Sequence, residues 1–395
     1  MAGFVIVGAG ECGVRAAFAL RERGYQGDVT LISGEPYLPY ERPPLSKGAL
    51  PARKPIRQQI DYSEARINLC LGREIKMLDH DRSMVVAHDG TTWAYQKLLL
   101  ATGARSRLLP GMEAATTLRS FDDATAIFGR LCPGTRLAII GGGFIGLELA
   151  AAARGLGVQV TVIEAASRLM ARAVPPEIAT IVEARHRTEG VHLKLGAKVT
   201  ALHQTGVATD DGTLLEADLV VAGVGAVPNT ELAQKAGLSV DNGIKVDGRF
   251  RTSVSNVFAA GDCCSVPHQG GRLRLESWRI AQEQGAHAAA AMLGEVDDFA
   301  KVPWFWSDQY DLGLQVAGLM TADAGTTVRH LGDGACIAFQ HSTDGRLLCA
   351  AGVGKGNRIA KDIRLAEMLI ACGASPPPAK LADASINLKS LLKAA

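Results

Sequence analysis

Short apolar runs alternate with glycine-rich turns and with alanine- and leucine-rich segments, and the same order occurs twice along the chain. The first series has an apolar run at residues 4–7, a helical pattern at residues 14–23 and a second apolar run at residues 29–32. Residues 137–163 repeat this order. Apolar runs bounded by turns are typical of buried parallel strands. Each series therefore predicts a βαβ unit, and together they predict two parallel sheets covered by helices.

Later apolar runs indicate how the two units are connected. Runs at residues 98–103 and 218–225 each end in glycine, which lets the backbone approach a bound cofactor closely. A third run, at residues 256–260, precedes Gly261 and Asp262 and lies beyond the second unit. The second domain is therefore predicted to be inserted into the first.

The chain changes character after about Trp304. An alternating segment at residues 335–339 and a helical pattern at residues 362–372 predict a small α+β domain, and the prolines at 376–378 are expected to end its regular structure. The predicted fold class is α/β, with two Rossmann-like dinucleotide-binding domains and this C-terminal domain. The predicted boundaries are residues 1–108 and 233–304 for the first domain, 109–232 for the inserted domain and 305–395 for the C-terminal domain.

Two glycine loops carry the strongest chemical signal. They read GAGECG at residues 8–13 and GGGFIG at residues 141–146, each between a predicted strand and a predicted helix. Such a turn lets backbone N–H groups and a helix N-terminus bind a pyrophosphate. One loop can arise by chance, but two predict two dinucleotides on one chain, the arrangement of a flavoprotein that exchanges hydride with nicotinamide. In the second loop, the residues predicted to bind NAD(H) are Gly141, Gly143, Phe144, Ile145 and Gly146.

An acidic residue at the end of the second strand of a Rossmann unit usually accepts hydrogen bonds from the ribose hydroxyls. Glu164 stands there in the second unit, 18 residues beyond Gly146, and its charge would repel a 2′-phosphate. NADH is therefore favoured over NADPH, although Arg168 offers a rival partner for a 2′-phosphate. In the first unit we expect Glu35 to bind the adenosine ribose. The alternative for both acids is an ordinary solvated turn residue.

Composition limits the function classes. A formal net charge of +2 gives no general attraction to nucleic acid, and no apolar run is long enough to span a membrane. Eight cysteines without a C-x-x-C pair argue against a disulfide scaffold or a metal site. With no basic segment typical of a signal peptide at the N-terminus, we expect a cytoplasmic protein with reduced thiols.

Four further motifs occur in a fixed order: YERPPLSK at residues 40–47, LATG at 100–103, FAAGD at 258–262 and PWFWSDQ at 303–309. With the glycine loops, they make the chain resemble the FAD-dependent NADH:ferredoxin reductases of cytochrome P450 and Rieske oxygenase systems. The putidaredoxin reductase and biphenyl or toluene dioxygenase reductase group is the most similar. The resemblance runs from about residue 3 to the C-terminus and implies a glutathione-reductase-like fold.

The resemblance implies roles for individual residues. Arg42 and Lys47 would be cationic partners of the FAD phosphates, and Lys47 would also lie near the flavin and the nicotinamide. Ile75 would make a backbone contact on the adenine side of FAD. The alternative is that Ile75 is an ordinary strand residue. The FAD-binding residues implied are Gly8, Gly10, Cys12, Gly13, Glu35, Arg42, Lys47, Ile75, Ala101, Thr102, Gly103, Arg119, Gly261, Asp262 and Trp278. Those implied on the NAD(H) side, besides the second loop and Glu164, are Glu148, Arg172 and Gly225.

Lys47, Glu148 and Trp306 are the candidate catalytic residues. The resemblance implies that Lys47 and Glu148 orient or stabilise charge, the alternative being a salt bridge without functional effect. Trp306 would lie near the flavin edge, between the cofactor and the electron carrier, whereas Trp304 is equally well explained as a core aromatic residue. In such a protein the cofactors carry the redox chemistry and side chains mainly position them.

The implied activity is hydride transfer from NADH to FAD, followed by single-electron transfer to a [2Fe–2S] ferredoxin. A monomer or a homodimer is expected. Basic residues near the C-terminus are either a ferredoxin docking surface or a solvated helix face: Lys355, Arg358, Lys361 and Arg364. The alternatives are a reductase with a rubredoxin, monodehydroascorbate or quinone acceptor, and an NADH-sensing protein similar to apoptosis-inducing factor. No cysteine occurs at residues 39–50, which excludes a dithiol relay there.

Overall fold

The computed structural model describes residues 2–48, 50–268, 270–295, 297–321 and 324–392. The chain divides into two compact units. The first unit is formed by Met1–Arg42, Arg53–Arg105 and Ala226–Lys301, and the second by Pro43–Ala52, Ser106–Gly225 and Val302–Ala395. Most of the second unit is thus inserted into the first in sequence. A short segment containing Lys47 also belongs to the second unit.

The described residues form ten α-helices, one 3₁₀ helix and 25 strands, numbered here in chain order. The helices are α1 (Glu11–Glu22), α2 (Gln59–Glu64), α3 (Phe121–Phe128), α4 (Phe144–Gly155), α5 (Pro176–Thr188), α6 (Glu231–Lys235), α7 (Trp278–Leu293), α8 (Ala360–Ala371), α9 (Pro378–Ala382) and α10 (Leu388–Leu391), with a 3₁₀ helix at Pro43–Ser46. The strands are β1 (Gly3–Val7), β2 (Val29–Ile32), β3 (Ile67–Cys70), β4 (Ile75–Asp79), β5 (Met84–Ala87), β6 (Thr92–Leu100), β7 (Ala104–Ser106), β8 (Thr116–Thr117), β9 (Arg136–Ile140), β10 (Gln159–Glu164), β11 (His192–Leu195), β12 (Val199–His203), β13 (Gly206–Thr209), β14 (Leu214–Glu216), β15 (Leu219–Ala222), β16 (Ala226–Pro228), β17 (Ile244–Lys245), β18 (Val257–Ala259), β19 (Cys264–His268), β20 (Gly271–Leu273), β21 (Trp304–Gln309), β22 (Leu312–Gly318), β23 (Gly325–Gly332), β24 (Ala335–His341) and β25 (Leu347–Lys355).

The first unit is built on a sheet in which β3, β2, β1 and β6 are parallel. Strand β18 also pairs with β6 in parallel, so the chain returns to this sheet after the insertion. The antiparallel strands β5 and β4 extend the other side of β6. Helices α1 and α7 pack together so closely that a Cβ atom on Gly285 would lie 2.3 Å from the carbonyl oxygen of Cys12. This contact holds the first turn of α1 against α7.

The second unit contains a parallel sheet of order β11-β10-β9-β15-β8. Strands β9 and β10 are joined by α4, as the repeated pattern predicts. An antiparallel sheet, β12-β13-β14, follows β11 in the chain. Among the described residues, no helix combines the length and the apolar character that a bilayer crossing requires.

The C-terminal part of the second unit is an antiparallel sheet of order β21-β22-β25-β24-β23 with α8 packed on it. The alternation predicted at residues 335–339 does not separate a solvent-exposed face from a buried one, since every position of β24 is buried. Cys336 and Ala338 share a hydrophobic core with the parallel sheet, while Ile337 and Phe339 pack in the core that contains α8. Both faces of the strand are therefore covered.

The expectation that regular structure ends at the prolines at 376–378 is wrong. Helix α9 begins at Pro378, and α10 follows it. Proline is tolerated in the first turn of a helix, because the N–H group that it lacks has no partner within the helix there. The triplet therefore precedes a helix rather than closing the domain.

Arg329 ties this C-terminal tail to the sheet. Its side chain is 2% exposed, and its guanidinium donates to the carbonyl groups of Leu381, Ala384 and Ile386. We expect Arg329→Met to lower the free energy of unfolding by about 2–4 kcal/mol, because carbonyl groups lose charged donors. Urea unfolding measures this loss. The exposed Arg346, changed to Met, is the matched control, and equal stability of both variants would contradict the anchoring role.

Candidate active site

The first glycine loop has the geometry that a pyrophosphate requires. Gly8 has a φ of +108°, and a Cβ atom there would lie 2.1 Å from the carbonyl oxygen of Ala101. A Cβ on Gly13 would lie 1.9 Å from the carbonyl oxygen of Gly8, so α1 packs directly against the loop. Around Gly10, in contrast, the Cβ position has no neighbour within 4 Å. Two glycines thus close the turn, and the middle one leaves the surface open to a phosphate.

The second loop repeats this geometry. Gly141 has a φ of +107°, and its Cβ position is 2.4 Å from the carbonyl oxygen of Gly223. A Cβ on Gly146 would lie 2.5 Å from the carbonyl oxygen of Gly141, and the Cβ position of Gly143 is open. Helix α4 begins at Phe144, directly after Gly143, which places free N–H groups at the loop. The residues of both loops fit bound dinucleotides.

Helix α1 begins at Glu11, three residues earlier than the helical pattern predicts. Cys12 therefore lies in the first helical turn, where its backbone N–H can face a phosphate. Its side chain is buried, and its sulfur lies 3.3 Å from the Cβ position of Gly261, which has a φ of +83°. The structure thus brings Cys12 and Gly261, two of the predicted FAD-binding residues, together.

Glu35 and Arg42, assigned to the ribose and the phosphates of FAD, form an ion pair with a 2.5 Å contact between Arg42 Nη2 and Glu35 Oε1. The hydroxyl of Tyr40 donates to the other oxygen of Glu35 at 2.5 Å. Both partners are about one-third exposed. The pair places a carboxylate and a guanidinium side by side just beyond β2.

Glu164 lies at the end of β10, next to the second loop. Its Oε2 accepts the backbone N–H of Gly142 at 2.7 Å, and its Oε1 accepts that of Ala166 at 2.7 Å. The rival residue Arg168 donates to the carbonyl groups of Ala171 and Val174, each at 2.8 Å. The carboxylate is thus fixed beside the loop, while the guanidinium is held by the backbone of its own segment.

The segment after β6 is fixed by a residue that the sequence analysis missed. Asn229 donates from its side chain to the carbonyl of Thr102 at 2.9 Å, and the hydroxyl of Thr102 donates to the carbonyl of Asn229 at 2.7 Å. Ala101 is buried, and Gly103 has a φ of +67°. This reciprocal pair holds the three predicted residues of the LATG motif in place.

Gln284 is a second missed residue. It is 1% exposed on α7, and its Oε1 accepts the backbone N–H of Gly261 at 2.7 Å. The sequence signal that could have identified Gln284 is a polar glutamine within an alanine-rich helical segment. Asp262 follows Gly261, and Trp278 is the first residue of α7. The cysteines at 263 and 264 are both buried and free.

Four predicted contact residues are placed by their elements. Ile75 begins β4 in the first unit. Arg119 directly precedes the N-cap of α3, and its backbone N–H donates to Asp123 at 2.9 Å. Arg172 is exposed beyond β10, and Gly225, with a φ of +106°, follows β15. Their roles toward the cofactors stay predictions.

The three candidate catalytic residues meet in one cluster of the second unit. The ammonium of Lys47 is 3.6 Å from Glu148 Oε1, 2.7 Å from Asp308 Oδ2 and 5.1 Å from the ring centre of Trp306. The indole N–H of Trp306 donates to the same Asp308 oxygen at 3.0 Å. The ring of Trp304 stacks on that of Trp306, with ring centres 5.5 Å apart. The ammonium of Lys47 thus lies between the carboxylates of Glu148 and Asp308 and next to the indole of Trp306.

Glu148, 5% exposed, lies at the buried end of this cluster. The hydroxyl of Ser307 donates to its Oε1 at 2.7 Å, and the hydroxyl of Ser46 donates to its Oε2. Burial raises the pKa of Glu148, while Lys47 and the two hydroxyls oppose this rise. The serines were missed as site residues, because a single serine within a motif carries no signal of its own.

Comparisons with known proteins show the family of the chain. The family model described as pyridine nucleotide-disulphide oxidoreductase matches residues 3–285. The chain belongs to this family. The model described as reductase C-terminal matches residues 304–392. As members of the family do, the protein uses FAD and NAD(H), so the predicted fold class and cofactors are confirmed.

Individual relatives cover nearly the whole chain. The anthranilate 1,2-dioxygenase system ferredoxin–NAD(+) reductase component of Burkholderia cepacia is 43% identical over 98% of this chain and 99% of its own length. A rubredoxin–NAD(+) reductase of Pseudomonas putida is 41% identical over 80% of this chain and 86% of its own. The reductase in the covalent putidaredoxin reductase–putidaredoxin complex has a TM-score of 0.93 at 35% identity, covering 100% of this chain and 99% of that one.

Proposed function

We propose that this protein is an NADH:ferredoxin oxidoreductase that supplies electrons to an oxygenase. The observation that carries the proposal is the meeting of Lys47, Glu148 and Trp306 in a chain that also has two dinucleotide loops of matching geometry. The end-to-end similarity to the reductase component of a dioxygenase system supports the same activity. So does the similarity to a reductase solved in complex with its redoxin.

In this proposal the protein mainly binds, orients and balances charge. FAD, when bound, accepts a hydride from NADH and releases electrons singly. The first loop would hold the pyrophosphate of FAD, with Arg42 as a cationic partner of its phosphates. The second loop would hold the pyrophosphate of NADH, while Glu164 would accept hydrogen bonds from the ribose hydroxyls and disfavour a 2′-phosphate. Lys47 and Glu148 would provide opposite charges near the nicotinamide.

The segment at residues 39–50 distinguishes this activity from that of a disulfide reductase. It contains no cysteine, so no thiol pair there can take electrons from the flavin. All eight cysteines of the chain are free. Within the described ranges, moreover, no three His, Cys, Asp or Glu side chains are grouped to hold a metal ion. In the proposal, electrons pass from the flavin to an external acceptor.

An anaerobic stopped-flow experiment tests the proposal. We expect NADH to bleach the flavin absorbance at least tenfold faster than NADPH at equal concentration, because Glu164 repels the additional phosphate. Adding oxidised [2Fe–2S] ferredoxin should then restore the absorbance rapidly, with a rate that falls as salt is added. Rapid bleaching without reoxidation by several ferredoxins would contradict the proposed acceptor and leave the cofactor assignments intact.

Rubredoxin is the second candidate acceptor, because a rubredoxin reductase is 41% identical over 80% of this chain. The same apparatus compares the two carriers at equal concentration. Faster reoxidation by rubredoxin would indicate that rubredoxin, and not ferredoxin, is the acceptor. Sluggish bleaching with a long-lived charge-transfer band would instead favour an NADH-sensing protein.

For the basic residues near the C-terminus, a ferredoxin docking surface and a solvated helix face both stay open. Arg358 is ion-paired with Asp333 at 2.6 Å, and Arg364 with Glu367 at 2.6 Å. Both arginines are exposed. The salt dependence of ferredoxin reoxidation in variants of Arg358 or Arg364 tests the surface directly.

A further inference from the structure

A chain of hydrogen bonds runs from Glu148 through the interior of the second unit. The hydroxyl of Ser307 is 2.7 Å from Glu148 Oε1, and the Nε2 of Gln309 is 3.0 Å from that hydroxyl. Gln309 Oε1 is 2.8 Å from His186 Nε2, and the hydroxyl of Tyr310 is 3.0 Å from His186 Nδ1. Glu148, Ser307, Gln309 and His186 are all buried. The chain therefore connects the carboxylate to helix α5 through buried side chains.

The donor and acceptor types give this chain one direction. An ionised Glu148 only accepts, so Ser307 must donate to it and accept from the amide NH₂ of Gln309. Gln309 then presents its oxygen to His186, and Nε2 must carry the proton. In a neutral imidazole Nδ1 is then an acceptor, which the hydroxyl of Tyr310 satisfies. Every donor points toward Glu148.

The reverse direction is the other self-consistent arrangement. If His186 carried its proton on Nδ1, its Nε2 would accept from the amide of Gln309. The oxygen of that amide would then accept from Ser307, whose hydroxyl could no longer donate to Glu148. A buried acceptor that loses its donor is costly. The tautomer of His186 and the charge of Glu148 are thus linked through two side chains.

The histidine end of the chain is held firmly. Tyr310 lies in the turn between β21 and β22 with a φ of +58°, an unfavourable conformation for a tyrosine. Its ring meets that of His186 edge-on, with ring centres 5.1 Å apart. The guanidinium carbon of Arg185 lies 5.1 Å from the centre of the Tyr310 ring. Arg185 also pairs with Asp311 at 2.5 Å. Contacts with α5 therefore fix the tip of the hairpin that carries Ser307 and Trp306.

We propose that His186 is a positioning residue, which acts through Gln309 and Ser307 to keep hydrogen bonds donated to Glu148 and so holds that carboxylate ionised. The effect on hydride transfer rests on the proposed function, whereas the tautomer and the hydrogen-bond direction do not. Glu148 also faces Lys47 and Asp308, and His186 also faces Arg185 and Glu189. Burial lowers the pKa of His186 and keeps it neutral near pH 7.

The wild-type holoprotein labelled with [¹⁵N]histidine provides the first test. NMR distinguishes the two imidazole tautomers, and the His186→Gln spectrum identifies the signal of this residue. We expect the neutral Nε2–H tautomer at pH 7–8. The Nδ1–H tautomer, or a doubly protonated ring at pH 7, would overturn the proposal. This measurement requires neither ferredoxin nor catalysis.

The second test is the pH dependence of NAD⁺ binding to the oxidised holoprotein, measured by calorimetry. An ionised Glu148 favours the positively charged nicotinamide, so affinity should fall as the pH drops. In His186→Leu, which cannot donate to Gln309, this fall should occur about one pH unit higher. His186→Gln restores a donor and should return the midpoint toward the wild-type value. Superimposable midpoints for all three proteins would overturn the proposal, whatever their thermal stabilities.

Discussion

Replacing Gly143 with alanine should weaken NADH binding about 10–100-fold without changing the amount of bound flavin. Gly143 is the N-cap of α4, with a φ of −85° and an open Cβ position, so the free protein accommodates a methyl group. The methyl would occupy the surface on which the pyrophosphate lies. Each backbone hydrogen bond to a charged phosphate contributes about 1.5–3 kcal/mol, and losing one accounts for the expected range. The dissociation constant for NADH and the flavin absorbance per protein measure the two quantities.

Gly155→Ala is the matched control for this variant. Gly155 ends the same helix, and its Cβ position is also open, but it lies at the end remote from the loop. Its NADH affinity should match that of the wild type, and its thermal stability should be equal or slightly higher, because alanine favours a helix more than glycine does. Loss of flavin from Gly143→Ala with intact NADH affinity would show that the two loops are assigned to the wrong dinucleotides.

Lys47→Met should slow flavin reduction by NADH about 10–100-fold at pH 7, because it removes the cation beside Glu148. Without Lys47, two of the interactions that keep the buried carboxylate ionised remain, from Ser46 and Ser307. The pKa of Glu148 should therefore rise further above its ordinary value of 4.5. Single-turnover reduction followed from pH 6 to 9 measures the change, and the rate deficit should shrink toward high pH if loss of ionisation is its main cause.

The same variant should have a pH-dependent stability loss. A carboxyl whose pKa is raised in the folded state binds its proton more tightly there, so stability falls as the pH rises from about 4.5 through the folded-state pKa. Removing Lys47 extends this fall to higher pH. The difference in free energy of unfolding between wild type and variant should thus be smallest near pH 4 and largest at neutral pH and above.

Lys194→Met controls for the loss of a lysine ion pair as such. Lys194 is 18% exposed against 23% for Lys47, and it pairs with Asp211 at 2.7 Å, the distance between Lys47 and Asp308. It belongs to the same unit but not to the cluster. An equal loss of reduction rate in both variants would contradict a specific role for Lys47.

The glycine loops were predictable because their requirements are local. A positive φ at Gly8 and close packing at Gly13 can be met only by glycine, and so the sequence displays them. The acid at Glu164 follows from its fixed distance to the second loop. Strands β1, β2 and β9 lie within a residue or so of the predicted runs, since their burial is continuous.

The contacts that support the site were not predictable in this way. Ser46 and Ser307 meet Glu148 across 102 and 159 residues of sequence. No local pattern distinguishes these hydroxyls, or His186, from ordinary polar residues. The burial of both faces of β24 likewise depends on a neighbouring sheet distant in the chain. Such features arise from tertiary packing, which overrides the local pattern.

The hydrophobic core shared by the two sheets of the second unit affects how this protein can be recombined with its relatives. Val316 and Cys336 of the C-terminal sheet pack with Leu137 and Val160 of the parallel sheet. In a chimera that exchanges only residues 302–395, the two sides of this shared core would come from different proteins. Their side-chain volumes would not match. Swapping the redoxin specificity of two such reductases should succeed only when the inward-facing residues of both halves are transplanted together.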